Sequence, residues 1–196
     1  MAVDGNEVRG LFRRSVDAFG ARVHGVASDR WAASTPCPDW DVRALVNHLV
    51  YELRWSVPLL AGRTVAEVGD RFDGDLLGDD PVGRWDSAAQ EAVVAVDGEG
   101  AMDRTVHLSF GDFPGREYVM QLFADLVIHG WDLGVATGQD ARLDPDLVDA
   151  CAVWFAGVAD GYRQAGAVGP RLDVPSDADP QERLLAAFGR SADRAR

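Results

Sequence analysis

From Gly115 to Thr137 the chain reads Gly115-Arg-Glu-Tyr-Val-Met-Gln-Leu-Phe-Ala-Asp125-Leu-Val-Ile-His129-Gly-Trp-Asp132-Leu-Gly-Val-Ala-Thr137. Tyr118, Met120, Leu122, Phe123, Leu126, Val127, Ile128, Trp131, Leu133 and Val135 cover almost the whole circumference of a helix, and a helix apolar nearly all round belongs in the middle of its fold. Polar groups interrupt this surface at chosen places. Asp125 lies four positions before His129, so the two side chains project from one face about one turn apart. Asp132 follows three positions after His129, on nearly the same face.

The flanking sequence predicts more helices. Val8, Leu11, Phe12, Val16, Phe19 and Val23 recur at three- and four-residue steps and mark a first helix from about Glu7 to Val26. Pro36 and Pro38 then forbid helix, and Asp39 is a candidate N-cap with Asp41 near the positive end of the dipole. A second helix runs from about Trp40 to Leu60, with Val42, Leu45, Val46, Leu49, Leu53 and Val57 on its buried face. Residues 61–81 are rich in Gly and Asp and read as a loop. A third helix spans about Val82 to Val96. Thr105 to Phe110 alternates with period two, and Gly111-Asp112 reads as the turn of a short hairpin. After the central helix come one from about Pro145 to Gln164, capped by Asp144, and a short one from about Pro180 to Gly189. The expectation is an all-α, four-helix-bundle-like domain over residues 1–196, with a short extended or hairpin insertion and a short C-terminal helix.

Composition narrows the function. The 196 residues are 47% apolar and 26% charged, with a formal net charge of -13. Such an acidic chain is a poor ligand for nucleic acid or anionic membranes, which need clustered cations. No apolar run approaches the roughly 18 to 20 residues of a membrane span. Met1 to Gly10 is not a signal peptide, and two distant cysteines, Cys37 and Cys151, make a disulfide framework or a Cys-rich zinc site improbable. A reducing cytoplasm is the expected setting.

An i, i+4 carboxylate–imidazole pair is a common way for a helix to grip a metal. It also fits a simple ion pair or a cap on a neighbouring helix. His48 is embedded among Leu45, Val46, Leu49 and Val50, and it completes a set of three if its helix packs beside the central one. Two imidazoles and a carboxylate leave a coordination position open to water or substrate, the catalytic pattern. Zinc fits best, with nickel, iron and manganese as alternatives. Asp132 either bonds the free ring nitrogen of a histidine, fixing its tautomer, or pairs with an arginine. Trp40 and Trp131 read as core aromatics before pocket walls. Cys37, just ahead of a helix N-terminus, reads as a buried inert thiol before a reactive one. Glu52, four positions after His48, favours solvent over the metal. His107 favours the surface, and nothing selects Arg54 among the arginines as a binder of acidic substrate.

Two blocks add a family resemblance. Ser34-Thr-Pro-Cys-Pro-Asp-Trp-Asp-Val-Arg-Ala-Leu-Val-Asn-His48-Leu resembles the opening of the DinB-like, mycothiol-dependent maleylpyruvate isomerase N-terminal family. There a Pro-x-Trp-x-Val turn leads a helix ending in Leu-x-x-His-Leu. Asp125-Leu-Val-Ile-His129-Gly-Trp-Asp132-Leu is similar to that family's acid-x-x-x-His-x-x-Asp-Leu block. The ending Arg183-Leu-Leu-Ala-Ala-Phe-Gly-Arg190 resembles the close of its actinobacterial metal-binding branch. The resemblance implies a DinB-like four-helix bundle with His48, Asp125 and His129 as metal ligands. Asp125 stands where the isomerase pattern has Glu, one methylene longer, so metal distance or helix spacing must adjust. It further implies mycothiol as thiol cosubstrate, an electrophilic small-molecule partner, and a transferase or isomerase reaction. A non-catalytic metal-binding stress or sensor module and a metal-dependent hydrolase are the alternatives. Exposed apolar bundle faces are compatible with a homodimer.

Overall fold

In a computed structural model, which describes residues 4–191, the chain forms helices α1 (Gly5–His24), α2 (Val42–Leu60), α3 (Val65–Val68) and α4 (Pro81–Asp97). A hairpin of β1 (Thr105–Leu108) and β2 (Gly111–Pro114) follows, and then α5 (Gly115–Thr137), α6 (Pro145–Gln164) and α7 (Pro180–Ala187). Helices α1, α2, α4 and α5 make the bundle: α1 packs on α5 and α4, and α2 packs on α4 and α5. Helix α6 lies outside, against α5 and α1, and carries α7. No helix among the described residues is long and apolar enough to cross a membrane.

The central helix behaves as its composition predicts. Tyr118, Phe123, Leu126, Ile128, Trp131 and Leu133 are buried on different sides of α5. Its start needs glycine. Gly115 donates its amide to the Arg104 carbonyl at 2.8 Å, and a Cβ there would sit 1.8 Å from the Ala101 carbonyl oxygen. Its end is a left-handed Gly138 (φ 72°), the usual way to close a helix without a Cβ clash.

Three local expectations need correction. The N-cap of α2 is Asp41, whose carboxylate accepts from the Ala44 amide at 2.8 Å. Asp39 instead takes a left-handed conformation (φ 68°) that turns the chain into Trp40. The stretch 61–81 is not all loop, because Thr64 and Glu67 form a reciprocal capping box that nucleates the single turn of α3. The hairpin turns at Ser109-Phe110, so Gly111 and Asp112 pair with Leu108 and His107 as the start of β2. Helix α1 ends at His24, capped by Gly25, and α7 ends at Ala187.

Candidate metal centre

Helices α2 and α5 pack side by side, and their facing polar groups meet. His48 from α2 places Nε2 2.9 Å from Asp125 Oδ2, and His129 places Nε2 3.4 Å from Asp125 Oδ1. The donor atoms of His48, Asp125 and His129 all lie within 4.8 Å of one another. The shorter reach of aspartate is therefore no obstacle, since one carboxylate touches both imidazoles. His48 and Asp125 keep 24% and 34% of their side-chain surface, whereas His129 keeps 10%, so the cluster opens to solvent on the His48–Asp125 side.

Behind His129 lies a second, closed cluster. His129 Nδ1 is 2.9 Å from Asp132 Oδ2. Asp132 is fully buried and accepts from Arg190 Nε at 3.2 Å, from Arg190 Nη2 at 3.1 Å and from the Cys37 thiol at 3.2 Å. Asp132 thus bonds the histidine ring and pairs with an arginine at once, so the two readings are not exclusive. Asp132 on Nδ1 turns Nε2 of His129 toward Asp125, and once that ring gives up a proton Asp132 keeps the remaining one on Nδ1, leaving the Nε2 lone pair free for a metal.

The loop before α2 covers the site. The Thr35 hydroxyl donates to the Trp40 carbonyl and accepts from the Cys37 amide, folding the loop on itself. Trp40 is set over both imidazoles, its ring 4.8 Å from that of His48 and 5.7 Å from that of His129. Trp40 is therefore a wall of the site, unlike Trp131, which is a buried core aromatic as expected. Cys37 is buried as foreseen, but it is bonded into the closed cluster rather than isolated. His107 is on the exposed hairpin, paired with Asp112, and Arg54 is taken up by Glu91.

Electrostatics follow the geometry. Burial alone would push the Asp125 carboxyl up, but the imidazole of His129 and then that of His48 hold it far below the ordinary range. Burial would likewise depress His129, yet Asp125, helped by Asp132, raises it well above its usual value. Asp132 is lowered because its bonds to His129 and Arg190 outweigh burial. Glu52 is the exception to the solvent reading. It is half-buried one turn after His48, and burial, then the charge of Asp125, pushes its carboxyl up to about 7. Its spacing from His48 was the available signal.

The donor set suits a divalent ion: two imidazoles and a carboxylate converge, one ring is fixed by a buried carboxylate, and one side is open.

The sequence model described as the mycothiol maleylpyruvate isomerase N-terminal domain matches residues 12–134, more than half of the chain. The chain belongs to this family. An uncharacterized protein of Mycobacterium tuberculosis, matched in strains CDC 1551 / Oshkosh and ATCC 25618 / H37Rv, is 31% identical over 192 residues. The match covers 91% of this chain and 95% of the relative. The crystal structure of a mycothiol-dependent maleylpyruvate isomerase shares the fold with a TM-score of 0.70, and that of its histidine-to-alanine variant with 0.72. Both are 16% identical to this chain and cover 97% of it and 91% of their own length. The helical bundle is thus the family's DinB-like fold, continued beyond the matched domain by α6 and α7.

Proposed function

We propose that the chain holds one divalent metal ion, zinc best matching the donors, on His48, Asp125 and His129, and uses it in a thiol-dependent transfer or isomerisation. One observation carries the reading: in a member of this family, these donor atoms from two helices converge within 4.8 Å on the solvent-open side of the bundle. A bound ion supplies Lewis acidity that lowers the pKa of a coordinated thiol and so makes a nucleophilic sulfur available at neutral pH. The thiol is mycothiol by the family's name, and its partner is an electrophilic small molecule.

The chain's own residues supply the rest. Asp132 keeps His129 in the metal-facing tautomer. Trp40 lies against the two imidazoles and shields that flank from water. Glu52, with a carboxyl near neutrality and no hydrogen bond among the described residues, stands on the same helix face as His48 and can hold a proton beside the site. Aqueous thiols have pKa values of about 8.5, so a proton must leave as sulfur becomes thiolate.

Metal analysis of the purified protein with His48→Ala and His129→Ala variants tests the site. We expect about one equivalent in the parent and near none in either variant, and full retention in both would refute the site. A transfer assay of the zinc-loaded protein with mycothiol and maleylpyruvate or a model electrophile tests the reaction. Turnover that depends on both metal and thiol is expected, and none with both present would refute it.

A further inference from the structure

Arg190 is the residue that the proposed chemistry does not use and the geometry does. It sits 58 positions after Asp132, in the turn that ends α7. That turn is firmly placed. Phe188 stacks on Phe155 of α6 with ring centroids 3.7 Å apart. Gly189 takes a left-handed conformation (φ 75°), and the Arg190 amide returns to the Leu185 carbonyl at 2.8 Å. The side chain is thereby aimed at the back of the metal centre.

There the guanidinium binds both oxygens of Asp132, Nε on Oδ1 and Nη2 on Oδ2, in the forked pairing that fixes a carboxylate plane. The same Nη2 lies 3.3 Å from Cys37 Sγ, in the loop that carries Trp40. One cation therefore ties three distant segments together around His129: the loop before α2, the core helix α5 and the C-terminal turn. A fully buried carboxylate without such a partner is costly to keep charged, and it would be free to rotate or take up a proton. Either change releases Nδ1 of His129.

We propose that Arg190 is a positioning residue of the metal centre, holding Asp132 so that His129 presents Nε2 to the ion. The inference rests on the metal reading above and adds that the C-terminal turn sets the affinity of a site it never touches. Outer partners of metal-bound histidines are worth roughly 10- to 100-fold in metal affinity. Arg190→Ala should weaken zinc by that factor in competition with a chromophoric chelator. Arg190→Lys should recover only part, because an ammonium cannot span both oxygens.

A merely structural arginine would also destabilise the fold, so the deciding measurement is a double-mutant cycle with Asp132→Asn. If Arg190 works through Asp132, its removal from the Asp132→Asn background changes zinc affinity by less than about twofold, as expected of coupled groups. Equal, independent losses in both backgrounds overturn the proposal. A second readout needs no metal: in chelator-treated protein, imidazole NMR should show a slowly exchanging His129 Nδ1–H in the parent that is lost in Arg190→Ala. Its persistence in the variant overturns the proposal even if the parent fails to bind zinc. Failure of His48→Ala and His129→Ala to release zinc, with the NMR change intact, would count against the metal reading alone.

Discussion

Two clusters share the ring of His129, and they differ in what stands for the cation. On the Nε2 side, Asp125 lies between two imidazoles in a partly exposed setting, with no arginine among the described residues bonded to it. On the Nδ1 side, Asp132 is fully buried and already has its cation in the guanidinium of Arg190. Cys37, His129 and Asp132 also offer donor atoms within 4.8 Å of one another, so donor proximity alone would nominate either side for a metal. The charge balance decides between them. A guanidinium on the buried carboxylate makes the inner cluster complete, while the outer one gathers electron pairs toward an accessible point.

The contrast is broken most sharply by comparing the two aspartates. Asp125→Asn removes the anionic ligand, and we expect stoichiometric zinc binding to disappear with the bundle still folded, as read by metal analysis and circular dichroism. Asp132→Asn should do the reverse in proportion. It leaves Arg190 and the ring of His129 around a neutral amide, and breaking a buried pair in this way costs about 3 to 5 kcal/mol. Denaturant unfolding should therefore show the larger loss for Asp132→Asn, while its zinc affinity falls only about 10- to 100-fold. Zinc retained by Asp125→Asn and lost from Asp132→Asn would mean the clusters had been assigned the wrong way round, and equal retention in both would mean that neither carboxylate is a ligand.

The fold was more legible than the site, for reasons visible in particular residues. Helix α5 was readable end to end because Gly115 and Gly138 bound an apolar run with no competing signal. Helix α6 was readable for the same reason, with Asp144 and Pro145 at its start. Helix α3 was hidden in a Gly- and Asp-rich stretch, although Thr64 and Glu67 carry the spacing of a capping box. The hairpin is legible but the position of its turn is not, because Gly111 has the character of a turn residue and Ser109-Phe110 does not. Of the site, the pairing of Asp125 with His129 follows from helical spacing, but nothing local joins either to His48. That link needed the family blocks, and the packing of α2 on α5 supplies it physically. The role of Arg190 is not legible in the sequence, because a contact made across 58 positions leaves no periodic trace.

A third carboxylate sharpens the comparison with the smallest effect. Glu52 faces the same region from α2 yet has neither imidazole nor guanidinium bonded to it among the described residues. The charged groups around it are Asp125 and His129 from α5 and His48 on its own helix, with the Tyr51 and Tyr118 hydroxyls nearby. Burial, reinforced by Asp125, moves its carboxyl from an ordinary 4.5 to about 7. The folded form therefore binds more protons than the unfolded form between these values, so this group's contribution to stability falls as pH rises through the window and is fully unfavourable above it. Glutamine cannot titrate. In chelator-treated protein, Glu52→Gln should match the parent near pH 4 and exceed its stability at pH 8, by on the order of 3 kcal/mol. His129 and Asp125 titrate in both proteins, so their effects largely cancel in the difference. Zinc should shrink the gap, because a dication beside Glu52 favours its charged form as Arg190 favours that of Asp132. Urea midpoints at the two pH values, with and without zinc, measure all four cases. A difference that does not change with pH would place Glu52 in solvent and leave the outer cluster without a proton-holding neighbour.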